Sequence, residues 1–233
     1  MNMKIILAVS LLAGLASAAK AGEPVSYTDW TSASAPGTSA SASGTLTLSS
    51  GTVNVSYSGE FIFAQVNNGG TQYWTQPNSS ALPYTGNAVV GNAPSTTDII
   101  ALAEQGGSSI VDTVTFSQPV LNPIMLINSL GQGGDGVSYV FNQPFTLLSA
   151  GQGYWGGDAT TLTASGDTLT GQEGAGAIEF SGDVSSISWT TINGENWNGI
   201  TVGAVTSQAP DGGSALGLLG MSLSCLFGFK RKK

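Results

Sequence analysis

The sequence predicts an all-β domain: two packed antiparallel sheets in a jelly-roll-like β-sandwich. Three observations carry that prediction. Short runs rich in Val, Ile, Thr and aromatic residues recur about every ten residues between clusters of Gly, Asn and Pro. Between the two ends of the chain no stretch spaces its leucines in amphipathic helical register. The 33 glycines accompany 41% apolar residues, a balance that builds a core rather than a disordered chain.

Taken in order, Val25–Trp30 alternates and opens the domain as a strand, and Thr31–Ser43, rich in Ser, Ala, Gly and Pro, reads as a loop. Gly44–Leu48 and Val53–Tyr57 form a hairpin around Ser49-Ser50-Gly51, with Val53, Val55 and Tyr57 on one face. Glu60–Val66 is the next strand. The Asn-, Gly- and Pro-rich segment Asn67–Pro94 carries Tyr73, Trp74 and Tyr84, and its length marks extra short strands or a functional surface. Asp98–Ala103 fits a strand or a helical turn. Val111–Phe116 alternates up to a stop at Pro119, and Ile124–Ile127, apolar throughout, fits a central strand buried on both faces. Val137–Phe141 and Phe145–Leu148 are parted by Asn142-Gln143-Pro144. A hairpin turns at Ser165-Gly166-Asp167, and Ala177–Phe180, Val184–Thr190 and Gly199–Val205 close the series. Trp189, alternating with Ile187 and Thr191, belongs in the core, with Trp197 packed near it.

The two ends read differently. Lys4 precedes the apolar run Ile5–Leu15, and Ala16-Ser17-Ala18 supplies small residues for signal peptidase. Residues 1–21 are therefore a signal peptide, cleaved after Ala18 or after Ala21. At the other end, residues 209–233 follow the exported domain, 22–208. Pro210 and the Gly212-Gly213 pair cannot continue a helix and leave that point accessible. A helix over Ser214–Phe229 would rise about 24 Å, short of the ~30 Å hydrocarbon core. Lys230, Arg231, Lys232 and Lys233 then mark a cytoplasmic stop. Cys225, inside the apolar run, reads as a small hydrophobe.

Pro210, Asp211, Gly212 and Gly213, followed by Ser214, a Leu/Gly-rich helix and the basic end, resemble the C-terminal sorting tails of the PEP-CTERM class in its Val-Pro-Asp-Gly-Gly variant. Ala209 stands where that pattern has valine. The resemblance implies handling by a membrane-embedded exosortase in bacteria that make an exopolysaccharide matrix. Gly51–Gly59, Val114–Val120 with Asn122-Pro123, and Asn196–Gly203 are similar to a domain that recurs in such exported proteins. That similarity implies a surface β-sandwich and brings no catalytic residue.

Charge narrows the functions open to the domain. All six basic residues lie in the two end segments, thirteen of the fourteen acids lie between them, and the chain has no histidine. Such a surface repels phosphate backbones, which excludes nucleic-acid binding. It has no histidine for a triad and no cation to clamp an oxyanion. Carboxylate pairs are the only catalytic means left, and no spacing distinguishes one among Glu60, Glu104, Glu173, Glu179 and Glu195.

Gly133-Gly134-Asp135-Gly136 is a single, imperfect copy of a calcium-binding repeat, so a calcium β-roll is rejected. Asp135, Asp158, Asp167 and Glu173 could hold one calcium ion, but they read as solvated loop acids, and no metal or cofactor is expected. Tyr154-Trp155, between glycines on both sides, could present a flat face to a sugar or fold back over a sheet edge. The whole reads as a non-enzymatic exported protein of the cell surface or extracellular matrix. Its expected partners are signal peptidase, an exosortase-type enzyme and, through Tyr154 and Trp155, exopolysaccharide, with transient inner-membrane association through the C-terminal helix. A carbohydrate-binding module and a carboxylate glycosidase are the alternatives.

Overall fold

The structure, a computed structural model, describes residues 22–75, 82–103, 109–134 and 136–207. Its described strands form two antiparallel sheets. One contains β1 (Val25–Tyr27), β5 (Phe63–Gln65), β6 (Ile99–Leu102), β8 (Ile124–Leu130), β10 (Thr146–Gly151), β13 (Gly174–Glu179) and β15 (Asn198–Val205). Its order is β10-β13-β8-β15-β6-β5, and β1 pairs with the later part of β15. The second contains β2 (Asp29–Ala33), β3 (Gly37–Leu48), β4 (Gly51–Phe61), β7 (Asp112–Leu121), β9 (Val137–Phe141), β11 (Leu162–Ser165), β12 (Thr168–Gly171) and β14 (Asp183–Ile192). Its order is β11-β12-β9-β14-β7-β4-β3-β2.

Alternation along the strands explains the core between the sheets. Leu46, Val53, Val55, Tyr57, Val114, Ile187 and Trp189 point inward from one sheet, and Ile100, Met125, Ile127, Ile178 and Ile200 meet them from the other. β8 is buried along its whole length because its alternate residues serve two clusters. Met125 and Ile127 join the main core, while Ile124 and Leu126 join a second cluster with Trp74, Tyr84 and Val90. The long connection after β5 thus covers the outer face of the seven-stranded sheet. Among its described residues it holds no strand, only a four-residue helix, α1 (Leu82–Thr85), and a bridge from Val90 to Glu23.

Four segments differ from the sequence reading. Val25–Trp30 is two strands in two sheets, parted at Thr28, whose backbone N–H and hydroxyl both reach the Val202 carbonyl at 2.8 and 3.0 Å. Thr31–Ser43 is strand rather than loop for most of its length, because Ala40 and Ala42 alternate inward with Ser41 and Ser43 outward. Small residues hide that period from any hydrophobic pattern. Glu60–Val66 crosses from one sheet to the other, β4 ending at Phe61 and β5 beginning at Phe63. The strand expected to stop at Pro119 runs on to Leu121, with a register shift that leaves the proline unpaired. Asp98–Ala103 resolves as strand β6.

Candidate functional site: an aromatic platform and a sorting tail

Tyr154 and Trp155 sit at the tip of a tight loop after β10. Gly153 pairs with Gly156 as an isolated bridge, closed by a 2.7 Å backbone hydrogen bond. Two glycines press this loop onto the seven-stranded sheet. A Cβ on Gly153 would lie 2.5 Å from the Ala175 Cβ, and one on Gly157 would lie 2.3 Å from the Glu173 carbonyl oxygen. Asn128, buried on β8, accepts from the Tyr154 backbone N–H at 3.3 Å and donates to the Tyr73 carbonyl at 2.9 Å. One buried amide therefore ties together two loops far apart in sequence.

The rings follow from that tie. Tyr73 meets Tyr154 edge-on, centroids 4.9 Å apart, and lies 4.9 Å from Trp197. Trp155 stands edge-on to both Tyr154 and Trp197, at 4.9 and 6.2 Å. Phe63 stacks beneath Trp197 at 6.5 Å. Trp155 is nevertheless 59% exposed, so it is braced from the side with a free face. The loop folds back against Tyr73 and Trp197 while the Trp155 ring stays out.

Trp197 does not pack near Trp189. Trp189 is 1% exposed on the inner face of β14, among Tyr57, Tyr139 and Phe141. The connection between β14 and β15 changes sheets, and that crossing carries Trp197 to the outer side. Tyr73 and Asn128 belong to the platform as well; the sequence marked Tyr73 only as one aromatic residue of the long connection and did not mark Asn128, because their roles depend on a loop-to-loop contact. Trp74 is buried and donates its indole N–H to the Asp98 carbonyl at 3.1 Å, so it forms no part of the exposed surface.

Of the candidate carboxylates, Glu173 and Glu195 come to the same end of the sandwich, on either side of Gly131. The Glu173 backbone N–H donates to the Gly131 carbonyl at 2.9 Å, and the Gly131 N–H donates to the Glu195 carboxylate at 2.9 Å. Ser129 donates to the Glu173 carboxylate. Asn198 donates to Glu195 at 2.8 Å and accepts from the Tyr139 hydroxyl. Burial pushes the Glu195 carboxyl up to about 7, against the pull of its two hydrogen bonds and with a smaller push from Glu173. Glu195 is only 4% exposed, closed in by its hydrogen bonds to Gly131 and Asn198. Glu60 is buried, Glu179 is raised by burial on β13, and Glu104 and Asp135 lie outside the described residues. Among the described residues no group of three His, Cys, Asp or Glu could hold a metal ion.

The tail lies outside the described residues and is identified by comparison. Residues 210–233 match the family model of the VPDSG-CTERM motif. The chain carries an exosortase-sorting tail of the PEP-CTERM kind. Pro210, Asp211, Gly212, Gly213 and the basic run Lys230, Arg231, Lys232 and Lys233 all fall inside the match, with Gly212 where the motif's name has serine. The VPDSG-CTERM tail marks an exported protein sorted by an exosortase-type system. Among the described residues no helix is long and apolar enough to cross a membrane, and the apolar segment 215–229 is not one of them. Neither the curated proteins nor the solved structures hold a match to the chain.

Proposed function

We propose that the chain is a non-enzymatic protein of the cell surface or extracellular matrix whose β-sandwich holds neutral exopolysaccharide at the Trp155 platform. Signal peptidase cleaves after Ala18 or after Ala21. The tail then holds the exported domain at the inner membrane until the exosortase-type enzyme acts near Pro210–Gly213. The carrying observation is the exposure of Trp155, 59%, on a ring that Tyr154 and Trp197 hold in one orientation. A fixed aromatic face gives sugar C–H groups apolar contact at little entropic cost, because the ring is already ordered before binding. The absence of His, Lys and Arg from the domain, together with the closure around Glu195, supports a binding role over a catalytic one.

The test is Trp155→Ala in the native producer. Retention of the protein in the polysaccharide matrix should fall severalfold. The melting temperature should fall by no more than about 2–4 °C, since two edge-on ring contacts contribute on the order of 1 kcal/mol. Full matrix retention by a folded Trp155→Ala protein would overturn the platform's role.

A further inference from the structure

We infer that the outer face of the eight-stranded sheet is a second binding surface, taking an extended strand of uncharged polysaccharide. Its inward residues build the core, which leaves the outward positions free to be anything soluble. They are almost uniformly hydroxyl-bearing. Ser43 on β3 pairs with Ser56 on β4, Ser56 with Thr115 on β7, and Thr115 with Ser186 on β14. The neighbouring row repeats the arrangement: Ser41 with Ser58, Ser58 with Thr113, and Thr113 with Ser188. Strands about 4.8 Å apart, with same-face residues roughly 6.7 Å apart along each, set these hydroxyls on a regular lattice.

The face is also concave where β2, β3, β4 and β7 run side by side. A trough of about 360 Å³ there is walled by Thr31, Ser43, Thr45, Asn54, Ser56 and Thr115. The Thr31 hydroxyl is taken up by the Ser43 carbonyl at 3.2 Å, and the Ser117 hydroxyl oxygen accepts from the Asn54 backbone N–H at 2.9 Å. The side chains of Ser43, Thr45, Asn54, Ser56 and Thr115 make no hydrogen bond to another described group. They are donors and acceptors whose backbone positions the sheet fixes, so that only short side-chain rotors remain to be ordered on binding.

Charge selects the occupant. Neither hydroxyl row contains an ionisable group, although the segment between the chain's two ends carries thirteen acids and no base. A polyanion is repelled by that domain, and a cation meets no carboxylate within the rows. An apolar partner has no apolar side chain in the rows to cover. An uncharged polyhydroxyl polymer, by contrast, can exchange hydrogen bonds with every row it crosses. Binding in the trough stands independently of the Trp155 reading. One consequence joins the two. Tyr73 and Trp197 pack on the cluster outside the seven-stranded sheet, so the platform and the trough lie on opposite faces of the sandwich. A single molecule would then bridge two polymer strands.

The experiment uses the mature protein recovered from its producer and a soluble neutral β-glucan as probe. The variant Ser43→Ala/Ser56→Ala/Thr115→Val removes three hydroxyls while keeping inward residues and sheet propensity. Ser43→Thr/Ser56→Thr, which keeps the hydroxyls, serves as the folding and rescue control. In a Trp155→Ala background, residual binding should persist and fall at least tenfold on adding the triple substitution, with the Thr variant binding as its parent does. Wild type should crosslink the glucan into a sedimenting network, and either single-face variant should bind without crosslinking. Complete loss of binding in Trp155→Ala alone would overturn the trough and leave the platform intact. Residual binding unchanged by the triple substitution would overturn it as well.

Discussion

Glu195 should make the domain less stable as the solution is brought from mildly acidic to neutral. Its carboxyl ordinarily titrates at 4.5 and is pushed up to about 7 in the folded chain, chiefly by burial. The folded state therefore keeps a proton that the unfolded chain has already released between those two values. Stability is fully present below pH 4.5, falls as pH rises towards 7, and is flat above that. At about 1.36 kcal/mol per pH unit the whole effect is roughly 3 kcal/mol, or about 6–12 °C of melting temperature for a domain of this size. Glu195→Gln keeps an acceptor for Gly131 and Asn198 and cannot ionise.

Burial also raises Asp98, helped by the neighbouring Asp29, and raises Glu179, so both push in the same direction as Glu195. They remain in the variant, and the difference between the two proteins isolates Glu195. The assay is thermal unfolding of native and Glu195→Gln protein from pH 4.5 to 8. The variant should match the native protein near pH 4.5 and exceed it near pH 7.5. Parallel curves for the two proteins across that range would refute the reasoning.

Two further predictions concern the backbone and the tail. Gly59 has φ +150°, and a Cβ there would lie 2.0 Å from the Asp112 oxygen that accepts from the Glu60 N–H at 2.8 Å. Gly59→Ala should therefore cost about 3 kcal/mol, read by denaturant unfolding; a midpoint unchanged from wild type would remove the argument. Pro210→Ala/Asp211→Ala should leave an unprocessed form in the membrane fraction, whereas mass spectrometry of surface wild type should find no Leu216–Lys233. Intact Lys233 on the surface protein would make the tail an ordinary anchor.

How legible the fold was depended on side-chain size. Where inward residues are large, as at Val53, Val55 and Tyr57 or along Ile124–Ile127, hydrophobic period placed the strand and even its burial. Where they are Ala40 and Ala42, the same alternation carries almost no hydropathy contrast and looks like a loop. Sheet changes at Thr28 and Ile62 were invisible for a different reason. A strand that hands over from one sheet to the other keeps its local pattern, and only the partner changes, at a sequence separation of more than a hundred residues in the case of Thr28 and Val202.

The site divides along the same line. A sorting tail is read by other proteins as a linear segment, so Pro210–Gly213, the apolar run and the basic end must all be present in order in the sequence itself. The platform is the opposite case. Trp155 showed itself because flanking glycines leave a ring exposed, but Tyr73 and Trp197 become its neighbours only through Asn128 and the crossing before β15. The hydroxyl face is subtler again. Each Ser or Thr on it is ordinary for an exposed strand position, and what makes them a surface is the register that sets Ser43, Ser56, Thr115 and Ser186 side by side. A binding role assembled from such weak contacts is one that single strands cannot announce, and it is tested by removing several hydroxyls together rather than any one.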